Sequence, residues 1–418
     1  MQPIKRRALL QGALSAGSAV SAYSLPLRYQ GKTGPQPTAA ELDRAAALPV
    51  LKRELFREPV VIESMKLMKA GPDYLVRVRA KDGAEGVSVC NSDRPEYLDK
   101  IFKSLIAAFF IGKDARDLEN LLWELYRWKS NYKMYGLAFW SAQAWAEFAI
   151  LDLLGRIANR SIGELIGGVV RREVPFYVAS GRRDTTPQEE VAYLQKLVQQ
   201  SGAKAVKFRL GGRMSRNADA MPGRTETLIP LVRKTFGDAI DIHGDANSSY
   251  DVANAVRVGR ILEEHRAVYY EEPCQFDHWE ETKAVRDRLA IPVAGGEQEY
   301  SDWRFRWAIL NRAVDIVQPD LFYYGGLVRS MRVARMAKLA AMPTTVHISG
   351  GFGFVYMLHF ASAVPDIGKY QEYKLGTDKY GKWFDPVISV KDGKMSVPQG
   401  PGVGIRDVAA LLQQAKEV

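Results

Sequence analysis

An α/β fold, a TIM-type (β/α)7β barrel with an N-terminal α+β capping domain, is the class that this sequence of 418 residues predicts. Three observations predict it. First, Asp245 in IDIHGDAN, Glu271 in VYYEEP and Glu297 in IPVAGGE each close a short apolar run, and they stand 26 and again 26 residues apart. One strand–helix unit of such a barrel takes roughly 30 residues, and its chemistry sits at the C-terminal strand ends. Second, the rhythm extends both ways. KAVKFRLGG lies upstream, and Asp320 in VDIVQPD, His347 in TTVHISGG and Glu372 in YQEYK follow at gaps of 23, 27 and 25 residues. One acid after a strand is common, whereas a full register of such groups is a signal. Third, amphipathic helical patterns separate the strands, over residues 187–200, 226–236, 252–265 and 327–341.

The elements follow in chain order. Lys5, Arg6 and Arg7 open a weakly apolar stretch rich in Ala, Gly and Ser that runs to Ala22. Paired arginines before a mild apolar core predict a twin-arginine export signal over residues 1–22, and hence a periplasmic or secreted protein. The stretch is too short for a membrane span, so no membrane attachment is expected after cleavage. Residues 23–55 read as a linker and surface segment. Residues 56–172 read as the capping domain, with strand and hairpin signals over 60–68 and 74–89 joined at a KAGPD turn, and helices over 97–110, 115–129 and 138–159. The barrel takes residues 173–375, and residues 376–418 read as a segment returning to the cap. No tandem repeat stands out beyond the strand–helix rhythm.

Composition bounds the function. With 47% apolar and 25% charged residues the chain is ordinary for a globular protein. Its length suffices for one barrel and a smaller domain. The net charge of +10 is spread along the chain without a basic run interleaved with aromatics, so no nucleic-acid partner is expected. A mild positive field would help gather anions, though solubility is the simpler meaning. Cys90 and Cys274 stand alone and define neither a disulfide framework nor a zinc site.

Three acids in one barrel mouth repel one another unless a cation is present. Oxygen-only ligands favour a hard divalent ion, so Asp245, Glu271 and Glu297 predict a Mg²⁺ site. Taken singly, each would as readily cap a helix or pair with a base. On the preceding strand Lys207 and Arg209 stand at i and i+2, so both point into the barrel.

Over roughly residues 55–410 the sequence resembles the mandelate racemase branch of the enolase superfamily. The resemblance rests on YLVRVRAKDGAEG, on AEFAILDLLGRIANRSIGELIGG, on the three acid motifs, and on Asp320 before FYYGG followed by His347. Members share Mg²⁺-assisted removal of the proton next to a carboxylate, which gives an enediolate. The resemblance implies His347 as the base and Asp320 as the group that orients it. A muconate-lactonizing protein would show a lysine on the sixth strand, and none stands there. Racemases of the branch carry Lys-x-Lys on the second strand, with the second lysine as an opposed base. Here that position is Arg209, which keeps its proton and makes a poor base but a good fork for a carboxylate or hydroxyl. Two-base racemisation loses a base, while a one-base reaction on His347 does not.

Further roles follow as expectations. Lys207 becomes a usable acid or base if a nearby cation lowers its pKa; the alternative is an ion-pair lysine of the barrel interior. Glu372 hydrogen-bonds the substrate carboxylate. Glu272 points away from the ligand Glu271, into a structural pairing. Asn247 supports the metal shell or caps the next helix. His243 is packed and hydrogen-bonded deeper in the barrel, and the SGGFG loop at 349–353 is a flexible rim. The function implied is dehydration of a sugar acid to a 2-keto-3-deoxy acid. The cofactor would be Mg²⁺, the partner a small-molecule carboxylate, and the assembly a homo-oligomer. The alternatives are a racemase or epimerase of a 2-hydroxy acid, with Lys207 opposite His347, and a non-catalytic secreted sugar-acid binding protein.

Overall fold

The structure is a computed structural model and describes residues 34–92, 94–374 and 376–418. The export signal expected over residues 1–22 lies outside the described residues. The cap begins with β1 (Ile62–Ala70), β2 (Asp73–Ala80) and β3 (Glu85–Val89). Strands β1 and β2 pair antiparallel down to Ala70 opposite Asp73, so the KAGPD segment closes as a tight hairpin turn at Gly71 and Pro72. The hairpin signal over 74–89 resolves into two strands. An Asp82-Gly83 turn, with Gly83 at φ +91°, reverses the chain and lays β3 beside β2. The Leu137–Ala158 helix is buried along nearly all its length, and its apolar surface runs all round, as a core helix requires. Gly86 of β3 meets it where a Cβ would overlap the Leu153 amide and the Ala149 carbonyl. Only glycine allows that approach.

The barrel strands are β4 (Glu173–Ala179), β5 (Ala205–Arg209), β6 (Asp241–Asp245), β7 (Tyr269–Glu271), β8 (Val293–Gly295), β9 (Ile316–Val317) and β10 (Gln371–Tyr373). Each pairs parallel with the next from β4 to β9. Strand β10 then pairs with β4 and closes the ring. The stave TTVH between β9 and β10 is held by single bridges, Val317 to Thr344, Asp320 to His347 and Thr344 to Ile367, rather than by a ladder. A short hairpin, β11 (Val390–Lys391) and β12 (Lys394–Ser396), adds antiparallel to β4. Finally β13 (Lys416–Glu417) crosses to the cap and pairs with β1, Glu417 opposite Met68.

Helices over Pro187–Ser201, Arg224–Phe236, Val252–Glu264 and Leu327–Leu339 lie within a few residues of the sequence periodicity. Thr186 opens the first with a capping box to Glu189 and Pro187 at its first position. Within the segment expected as a linker, Ala39–Ala47 is helical. Thr38 and Glu41 form its capping box, and Leu42 packs with Val333, Met336 and Ala337 of the barrel's outer layer. Among the described residues no helix is long and apolar enough to cross a membrane.

Candidate active site at the barrel mouth

Parallel register builds the site. Arg209 at the end of β5 lies opposite Asp245 at the end of β6, which lies opposite Glu271 at the end of β7. Glu297 follows β8 after a turn at Gly296, whose φ is +117°. Asp245, Glu271 and Glu297 are buried, and each offers a carboxylate oxygen within 4.8 Å of the others. The Oε2 of Glu297 is buried without a hydrogen-bond partner among the described residues. A buried, all-oxygen cluster with an orphaned lone pair fits a hard divalent cation. Gln318 Nε2 steadies the cluster from β9's end, donating to Glu271 Oε2 at 3.0 Å.

Lys207 is fully buried among carboxylates. Its Nζ lies 2.8 Å from Glu271 Oε1, 3.3 Å from Asp245 Oδ2 and 3.1 Å from Glu372 Oε1. Burial pulls its pKa down, but Glu271 and Glu372 outweigh burial and the net shift is upward. The protein's own groups therefore hold Lys207 charged, in the arrangement of an ion-pair lysine of the barrel interior. Arg209 is engaged with Asp245 Oδ2.

His347 and Asp320 meet as a pair. The Nδ1 of His347 lies 2.8 Å from Asp320 Oδ2. Asp320 Oδ1 accepts from the amides of Phe322 and Tyr323 at 2.8 and 3.0 Å and from Ser349 Oγ at 2.9 Å. An ionised carboxylate only accepts, so Nδ1 carries a proton and Nε2 is turned to the site. That Nε2 stands 3.5 Å from Glu297 Oε2 and 3.9 Å from Glu372 Oε2. The geometry is that of a base oriented by a carboxylate.

Several expectations change. Glu372 is buried and accepts from the Ile348 amide at 2.8 Å. Burial pushes its pKa up, but Lys207, Lys374 and His347 overcome that and hold it well below the usual carboxylate range. Such an anion accepts from a hydroxyl or ammonium; it does not hydrogen-bond a substrate carboxylate. Glu272 takes the structural pairing expected of it, but beside the carboxylate cluster rather than away from it. Its backbone is left-handed, φ +43°, and its Oε2 accepts from Asn247 Nδ2 at 3.3 Å. Burial, then Glu297 and Glu271, push its pKa well up. The alternation rule failed there because it holds only for extended backbone. Asn247 does not cap the next helix, which Asp251 does; it supports the metal-ligand candidate Asp245, whose Oδ1 accepts from the Asn247 amide at 2.9 Å, while its own Oδ1 accepts from Arg183 Nη2 at 2.6 Å. His243 packs against Tyr269 and Tyr177, ring centroids 4.1 and 5.0 Å away, but neither ring nitrogen finds a partner among the described residues. Burial and Lys207 lower its pKa to about 3, so it stays neutral. The 349–353 loop ties barrel to cap, with Asn91 Nδ2 3.5 Å from Ser349 Oγ.

Two cations escaped the sequence reading. Lys374 Nζ stands 3.5 Å from His347 Nε2 and 3.6 Å from Glu372 Oε2. Its place two residues beyond Glu372, just past the end of β10, was the available signal, by the same i, i+2 logic that placed Lys207 and Arg209. Arg183 lies in a loop after β4, where no periodicity operates.

The comparisons with known proteins agree with this geometry. The family described as mandelate racemase/muconate lactonizing enzyme, N-terminal domain, matches residues 47–167. The family described as enolase C-terminal domain-like matches residues 189–407. An arabinonate dehydratase of Saccharolobus solfataricus is 31% identical over 321 residues, covering 74% of this chain and 80% of the relative. A D-xylonate dehydratase of Haloferax volcanii is 26% identical over 315 residues, covering 71% of this chain and 74% of the relative. A mandelate racemase/muconate lactonizing protein of Paracoccus denitrificans, solved in complex with magnesium, superposes with a TM-score of 0.78 at 27% identity, over 86% of this chain and 98% of that one. With both domains matched in order along the chain, this protein is an enzyme of the mandelate racemase branch of the enolase superfamily.

Proposed function

We propose that this enzyme dehydrates a sugar acid to the 2-keto-3-deoxy acid. The observation that carries the reading is His347: Asp320 holds its Nδ1–H, and its Nε2 faces the carboxylate cluster. On the opposing strand Arg209 stands where two-base chemistry needs a titratable amine. Mg²⁺ held by Asp245, Glu271 and Glu297 would supply Lewis-acid charge to the substrate carboxylate. His347 Nε2 takes the proton from C2, and Asp320 stabilises the imidazolium that forms. Lys207 and Lys374 supply positive charge where the enediolate develops. The imidazolium then returns its proton to the 3-hydroxyl, which leaves as water, and the enol tautomerises to the ketone. The sugar-acid dehydratases among the relatives support this choice of reaction.

The racemase reading needs Lys207 as a second base. Three carboxylates around its ammonium count against that role. The test is a screen of the purified, Mg²⁺-loaded protein against an acid-sugar library, reading out 2-keto acids. Solvent deuterium entering C2 without water loss would indicate epimerisation instead. Binding with neither exchange nor turnover would overturn both.

A further inference from the structure

We propose that Arg183 anchors a second anionic group on the substrate, so that this enzyme takes sugar acids negatively charged at both ends. The inference rests on the dehydratase reading and narrows its substrate class. Arg183 is half-buried in the SGRRD loop after β4. Its Nη2 donates to Asn247 Oδ1 at 2.6 Å, and the Asn247 amide in turn donates to Asp245 Oδ1 at 2.9 Å. The guanidinium is thereby fastened to the loop that carries a metal-ligand candidate. Its Nε is buried without a partner, and among the described residues no carboxylate pairs with it. Burial lowers its pKa to about 9, helped by its cationic neighbours Arg209, Arg213 and Arg224; Glu297 opposes them and already belongs to the carboxylate cluster.

A partly desolvated cation among like charges is unfavourable until an anion neutralises it. Arg209, only 4% exposed, adds a second buried Nε without a partner. Guanidinium forks match carboxylate or phosphate oxygens two at a time. The reacting carboxylate is already provided for, because C2 must face His347 Nε2 while that carboxylate meets the metal ligands. Arg183 enters from the loop after β4, which supplies neither the base nor a metal-ligand candidate, and so is free for a second group of the substrate. The shared chemistry is a second anionic oxygen group, either a terminal carboxylate or a terminal phosphate.

The test is calorimetric binding to the Mg²⁺-loaded full chain with sets matched in configuration. One set is gluconate, glucarate and 6-phosphogluconate; another is galactonate and galactarate. At least one doubly anionic ligand should bind about tenfold or more tightly than its monoanionic match. Arg183→Gln should erase that ratio, and Arg183→Lys should keep part of it. The contrast of glucarate with 6-phosphogluconate separates carboxylate from phosphate. Equal affinity for single and double anions, or a ratio that survives in Arg183→Gln, overturns the proposal. If that variant does not fold, a wild-type ratio that is unmoved by about 0.5 M salt overturns it equally. Keto-acid formation is followed in parallel. Double-anion binding through Arg183 without water loss would sink the dehydratase reading and leave the anchor. Turnover of monoanions regardless of Arg183 would do the reverse.

Discussion

At Arg209 one side chain separates one-base from two-base chemistry. A guanidinium keeps its proton, and here it is engaged with Asp245. Proton removal therefore falls to His347. His347→Asn is expected to abolish both C2 deuterium exchange and water loss, a loss of about 10²–10⁴-fold or more, followed by NMR and a keto-acid assay. Normal exchange in that variant, with loss of exchange in Lys207→Ala, would move the base to Lys207. Arg209→Lys is expected to keep substrate binding and to open a second exchange route, seen as deuterium uptake that survives in the Arg209→Lys, His347→Asn double variant. At this scale the candidate site was largely legible: the three acids, Lys207, Arg209, Asp320, His347 and Glu372 all line the mouth. Glu272 was not, because one left-handed residue reverses the direction that strand alternation assigns.

Among the elements, β6, β7 and β8 each deliver one carboxylate to a common point, and bringing three anions together opposes folding unless a cation binds. Mg²⁺ at 100 times its Kd should add about 2.7 kcal/mol of stability, read as a rise in the thermal midpoint. Glu297→Gln should remove most of that rise. A midpoint indifferent to Mg²⁺ and to chelator would defeat the metal reading.

A second element-scale device joins cap to barrel. Glu147, fully buried on the Leu137–Ala158 helix, accepts from the Val328 amide at 2.9 Å, at the N-terminus of the Leu327–Leu339 helix. Burial raises its pKa to about 8, well above the usual carboxylate range. A folded pKa above the unfolded one means that the folded state holds the proton more firmly. The contribution is then full below the unfolded value and is lost as pH rises through the folded value. The unfolding midpoint should fall between about pH 5 and pH 8, by up to a few kcal/mol in stability, and Glu147→Gln should flatten that part of the profile. An identical profile in the variant would remove Glu147 as the cause.

On the scale of the whole molecule, cap and barrel are tied at several points. Strand β13 adds the C-terminus to the cap sheet, Tyr356 Oη accepts from the Val89 amide at 2.9 Å, and Ser349 meets Asn91. A site assembled from residues between 183 and 374 exists only in the folded chain. Export of this enzyme, which we propose from Arg6 and Arg7, would suit a route that carries folded proteins. The Arg6→Lys, Arg7→Lys double variant should accumulate uncleaved in the cytoplasm, and fractionation that finds the wild type there as well would refute export.

The sequence by itself determined the barrel, its cap and the register of functional groups. Those follow from local rules, the two-residue strand period and a strand–helix unit of roughly 30 residues, which act along the chain and survive without knowledge of neighbours. The helix at Ala39–Ala47 was missed, although its Thr38-to-Glu41 capping box is a local signal. Only the tertiary structure decided the charge of Lys207, the inward turn of Glu272 and the arrival of Arg183 at Asn247. Lys207 meets Glu271, and Arg183 meets Asn247, across 64 residues of chain in each case. Contacts of that span depend on how strands and loops close in space, and electrostatic character is set by what those contacts are and how much water they exclude.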